Sequence, residues 1–180
     1  SVGMTGAAAI AGRSALRGGA GLVKVAVPRS VLPIVASLEP CFTTTPLPED
    51  SSGQFSKQAA AKAADLAFQN DVTAFGVGAG TSAGVRRVIE KLIEIKELKL
   101  VIDADGLNCL ATAGNWPEKR KADIILTPHP GEMKRLWKGL FSSAIPQSSE
   151  QAASEAALKA KTTVVLKGAE TVVSDGSRTS

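Results

Sequence analysis

The chain has 180 residues, 44% hydrophobic and 21% charged, which suits one globular domain (residues 1–180) with a sizeable core and excludes disorder by composition. Lys and Arg number 21 against 17 acids, a scattered excess of +4 that suits a small anionic ligand; its densest run is only Lys119-Arg120-Lys121. With 4% aromatics and no tyrosine there is no base-stacking surface for nucleic acid, and no apolar run reaches the length of a membrane span.

In chain order, residues 5–17, TGAAAIAGRSALR, predict a small-residue helix stopped by Gly18-Gly19. GLVKVAV (21–27) is a β-branched strand bounded by Pro28. Residues 30–38 predict a short helix, and CFTTTPLPED (41–50) an extended segment broken by prolines. Residues 56–69 form an alanine-rich helix, and VTAFGVG (72–78) a strand running into Gly78-Ala79-Gly80. Across 82–96, Val85, Val88, Ile89, Leu92 and Ile93 keep helical spacing. LKLVIDADG (98–106) is a strand ending in two acids, followed by a helix over 107–113. ADIILTP (122–128) is a strand and Gly131–Leu140 a helix. Residues 149–160 are helical; TTVVLKG (162–168) and ETVVSDG (170–176) are strands close enough to form a hairpin.

Strands alternating with helices imply a parallel sheet covered on both faces, an α/β fold. In such folds ligands bind beyond the carboxyl ends of the strands. That rule gathers Gly78–Gly80, Asp103, Asp105, Thr127–Glu132 and Lys167-Gly168 on one edge. Cys41 and Cys109, far apart and without metal-like spacing, read as two free, mostly buried thiols in a reducing compartment. No signal peptide is visible, and the reading is a cytoplasmic protein. The abrupt start and end of the chain suggest pieces missing at both termini.

GVGAGT (76–81) suits the close approach of an anion, or is an ordinary tight turn; it completes neither a Walker loop nor a dinucleotide fingerprint. In VIDADGLN (101–108), the carboxylates of Asp103 and Asp105 are placed to hold Mg²⁺ through water or to orient a substrate hydroxyl, unless Asp105 simply caps the next helix. Asn108 lies one turn on, on the same helix face. His129, the only histidine, sits between Pro128 and Pro130. The prolines fix its backbone, as a binding site requires, though a structural histidine in a turn has the same sequence. Glu132 falls in the first turn of a helix, favourable for the dipole. Lys167 stands at a strand end, within reach of phosphates or exposed on a hairpin.

Together GMTGAAAIAGRSALRGGAGLVKVAVP (3–28), GVGAGT, VIDADGLN, ILTPHPGEMKRL (125–136) and VVLKGAETVVSDG (164–176) resemble, in this order, the ADP/ATP-dependent NAD(P)H-hydrate dehydratases of the ribokinase-like fold. The resemblance implies a three-layer α/β/α sandwich with a mainly parallel sheet. It implies ATP- or ADP-dependent repair of hydrated NADH or NADPH, with Mg²⁺: the added hydroxyl is phosphorylated and phosphate is eliminated. The alternatives are a small-molecule kinase of the same fold and an inactive nucleotide-binding module. Ala8, Gly80 and His129 would border the hydrated nucleotide, beside Asp105 and Asn108. Lys167, Gly168, Ala169, Glu170 and Thr171 would line the adenine nucleotide. The chain departs from the family at Ala79, usually proline, and at Gly106, often alanine. The family's glycine-rich segment with its catalytic aspartate would lie beyond Ser180, and its first strand ahead of Ser1. The resemblance also implies a homo-oligomer.

Overall fold

The computed structural model describes residues 1–180. Its strands form two sheets. In the smaller one, β1 (Lys24–Pro28) pairs in parallel with β2 (Thr43–Leu47), Lys24 opposite Thr43. In the larger one, β3 (Val72–Phe75), β4 (Lys99–Ile102), β5 (Asp123–Leu126) and β6 (Thr163–Leu166) run parallel in that order. β7 (Val172–Ser174) closes the row antiparallel to β6, as the short link between them predicts.

α1 (Thr5–Arg17) precedes β1, and the parallel strands are joined by α2 (Leu32–Leu38), α3 (Ala59–Phe68), α4 (Ala83–Ile93), α5 (Asp105–Leu110), α6 (Trp116–Lys119), α7 (Pro130–Leu140) and α8 (Ser149–Ala160). The stripe on α4 is real: Val85, Val88, Ile89, Leu92 and Ile93 are all buried. Ser82 caps this helix, its hydroxyl accepting from the Val85 N–H at 3.3 Å. On α8 the buried face is alanine alone, at 152, 153, 156, 157 and 160. These small side chains let the helix lie close to the sheet.

The structure departs from the sequence reading in four places. The sheet is not one piece: β1 and β3 each leave an edge unpaired. Between them lies an apolar cavity of about 350 Å³ bordered by α1, Val25, Val27, Val72 and Phe75. Apolar clusters follow the same division. A small one gathers Ala9, Val25, Val27, Val31, Val35 and Phe42; a large one fills the space around the larger sheet. Second, residues 43–47 are a strand. Their β-branched threonines suit it, and Pro46 is tolerated because β2 is an edge. Third, Trp116, 1% exposed, draws a one-turn helix into a segment with no periodicity. Fourth, only Cys109 is a buried thiol, and burial raises its pKa to about 11; Cys41 is exposed.

Candidate functional site

Four loops converge at the carboxyl ends of β3 to β6. The β4–α5 turn is the most constrained. Gly76 (φ 119°) passes so close to it that a Cβ there would lie 2.0 Å from the Asp103 carbonyl oxygen. Ala104 is held at φ 50°, ψ −119°, a costly backbone for a residue with a Cβ. The Asp103 carboxylate helps fix that turn: Oδ1 accepts from the Ala104 N–H at 2.8 Å and from Lys167 Nζ at 2.7 Å. Lys167 is thus held in an ion pair from β6 across to β4, with its side chain 41% exposed. Its backbone N–H donates to the Pro128 carbonyl at 2.8 Å, which seats the end of β6 against the histidine loop.

Asp105 starts α5 and reaches toward α4. Its Oδ2 accepts from the Gly80 N–H at 2.8 Å, and its Oδ1 lies 3.5 Å from the Asn108 amide nitrogen, which donates to it. Asn108 Oδ1 in turn accepts from Arg135 Nε at 2.7 Å. The Gly80 amide is therefore engaged. Gly80 itself borders a polar depression of about 440 Å³ at the start of α4, beside Ser1, Ser52, Gln54, Thr81 and Ser82. Gly80, Asp105, Asn108 and the histidine loop form one connected edge. Ala8 stands apart, lining the apolar cavity between the sheets.

His129 is the N-cap of α7. Its Nδ1 accepts from the Gly131 N–H at 3.0 Å, and Glu132 returns the bond, Oε2 accepting from the His129 N–H at 2.9 Å. Since Nδ1 is an acceptor, the neutral ring carries its proton on Nε2. That N–H lies 3.4 Å from Glu132 Oε1 on a side chain 51% exposed, so it is a donor open to a ligand. Glu132 is buried in the first helical turn, where the dipole favours its charge. Past β6, Gly168, Ala169, Glu170 and Thr171 form an exposed turn.

The carboxylates of Asp103 and Asp105 differ in how far they are engaged. Lys167 and the Ala104 amide both meet Oδ1 of Asp103 and leave its Oδ2 open to water or a cation, while Gly80 and Asn108 take one oxygen each of Asp105. No group of three His, Cys, Asp or Glu converges as a metal site. No helix is long and apolar enough to cross a membrane. The sequence reading missed Arg135: nothing in the spacing of two separate helices ties it to Asn108. Asp103 was signalled by the two-acid strand end, but its pairing with Lys167 was not.

The family model for NAD(P)H-hydrate dehydratase matches residues 1–179. A bifunctional NAD(P)H-hydrate repair enzyme Nnr of Moorella thermoacetica is 36% identical over 96% of this chain and 32% of that protein. Its counterpart in Thermofilum pendens is 34% identical over 93% of this chain and 32% of that protein. The chain thus spans about a third of the length of these curated relatives. An ADP/ATP-dependent NAD(P)H-hydrate dehydratase from Bacillus subtilis, co-crystallised with ATP/Mg²⁺ and soaked with CoA, superposes with a TM-score of 0.74. It is 28% identical, over 98% of this chain and 60% of that one. A ribokinase-like superfamily protein from Enterococcus faecalis, 20% identical, shares the fold with a TM-score of 0.71 over 93% of this chain and 55% of that one. The chain has a ribokinase-like α/β fold and belongs to the NAD(P)H-hydrate dehydratase family.

Proposed function

We propose that this chain binds hydrated NADH or NADPH, together with ATP or ADP, for dehydration back to the dihydronicotinamide. The observation that carries the reading is the His129 loop. Two prolines and a reciprocal cap hold the ring, leaving Nε2–H as a donor on the same sheet edge as Gly80 and Lys167. A donor fixed in this way binds a polar ligand group without further loss of rotamer entropy. The names of the relatives, repair enzymes and a dehydratase, support the same reading.

In this reading His129 orients the hydrated nucleotide from the β5–α7 loop, with Asp105 and Asn108 shaping the Gly80 side of the site. Ala8 borders the nucleotide from the cavity side. A bound adenine nucleotide supplies the phosphoryl group that activates the hydroxyl, and Mg²⁺ accompanies its phosphates. Lys167 to Thr171, the turn after β6, receive it; Lys167 contributes charge already aligned by Asp103. Gly80 and Asn108 take both oxygens of Asp105, whereas Asp103 keeps Oδ2 open. A cytoplasmic setting and assembly as a homo-oligomer belong to the same proposal.

The test is calorimetric titration with hydrated NADPH and, separately, with NADPH. Tighter binding of the hydrated form supports the reading. Equal affinities overturn it.

A further inference from the structure

We propose that Arg135 is a positioning residue for the Gly80 loop, acting through Asn108 and Asp105. The relay is continuous: Arg135 Nε donates to Asn108 Oδ1 at 2.7 Å, the Asn108 amide faces Asp105 Oδ1 at 3.5 Å, and Asp105 Oδ2 accepts from the Gly80 N–H at 2.8 Å. Each link has one sense. A guanidinium only donates, so it turns the Asn108 oxygen toward itself and leaves the NH₂ group for Asp105. That donor in turn occupies one carboxylate oxygen and leaves the other for Gly80. Arg135 therefore sets the orientation of the whole chain.

The helix packing holds the relay in register. Gly139 on α7 passes over Ala111, just past α5, so closely that a Cβ would lie 2.4 Å from the Ala111 carbonyl oxygen. Arg135 and Asn108 lie about one turn earlier on the same two faces. The guanidinium also reaches back to the histidine loop: its Nη1 is 3.9 Å from where a Gly131 Cβ would stand. Arg135 thus stands beside the start of α7 while its hydrogen bond runs to Asn108 on the Gly80 side.

The primary test is hydrogen exchange at the Gly80 amide in Arg135→Met, which keeps the aliphatic stem and loses every donor, in Asn108→Ala and in the double variant. Loss of one relay bond predicts exchange about three- to tenfold faster in each single variant, no faster still in the double variant, and unchanged at Leu100 in β4. Arg135→Lys, again a pure donor, should restore much of the protection. Unchanged exchange at Gly80 in Arg135→Met, or effects that multiply in the double variant, overturn the relay. If Arg135→Met fails to fold, Asn108→Ala carries the exchange test by the same criterion. A second arm rests on the proposed function: affinity for hydrated NADPH should fall by a similar factor in both single variants. A wild-type chain that does not bind hydrated NADPH refutes that functional reading, while the exchange result alone decides the relay.

Discussion

Ala104 shows what the site costs the fold. Its backbone angles suit glycine, yet it carries a Cβ between the two acids of the β4–α5 turn. Ala104→Gly should relieve about 1 kcal/mol of strain and raise the thermal midpoint by about 2–4 °C. A lower midpoint would mean that the Cβ contributes packing worth more than the strain. Cys109 gives a prediction in pH. Burial raises its pKa from 9.0 to about 11, so the folded state keeps a proton that the unfolded chain loses first. By linkage, its stabilising contribution is complete below about pH 9 and is lost as pH rises toward about 11. The loss is about 2–3 kcal/mol over that span. Urea midpoints across it should fall less steeply for Cys109→Ala than for the wild type; parallel slopes would contradict the assignment.

Among the elements, α7 opens the loop on which the proposed site turns. Its N-terminus is built by His129 and Glu132 together, and its far end is locked by Trp137 stacked on Phe141 with ring centroids 4.0 Å apart. Glu132→Ala removes a buried capping carboxylate and should cost about 1–3 kcal/mol. A urea midpoint unchanged from wild type would show that the cap bond contributes nothing. Elements of this kind were legible where the signal is local. The helix bounds 5–17 and 149–160 agree with the structure at both ends, and the α4 stripe is fully buried. The strand-end rule also placed Gly80, Asp105, His129 and Lys167 on connected loops. What stayed hidden depends on partners distant in sequence. β2 exists because β1 pairs with it in parallel, a contact no hairpin turn announces. Lys167 meets Asp103 across 64 positions, and Arg135 meets Asn108 across 27. Ala8 and residues 169–171 entered the site through the family resemblance, since small and exposed residues leave no physical mark of their own.

At the scale of the molecule, the division into two sheets sets where stability is concentrated. β1 and β2 pair only with each other, over a small apolar cluster and beside a cavity of about 350 Å³. β4 and β5 are paired on both sides within the large core. Amides of β1 and β2 should therefore exchange at least about tenfold faster than those of β4 and β5. Uniform protection would mean the two sheets open as one unit. The proposed site lies on the sheet expected to exchange more slowly, which suits a preorganised site. The proposed function requires His129 to act as a ligand donor while also capping α7. His129→Asn separates the two roles, because asparagine caps helices well and lacks the Nε2–H. The measurement is the thermal midpoint and the affinity for hydrated NADPH on this one variant. The account predicts a nearly unchanged midpoint with affinity reduced about ten- to a hundredfold, the loss of one hydrogen bond to a polar or charged ligand group. Wild-type affinity in the folded variant would contradict it and leave His129 a helix cap alone.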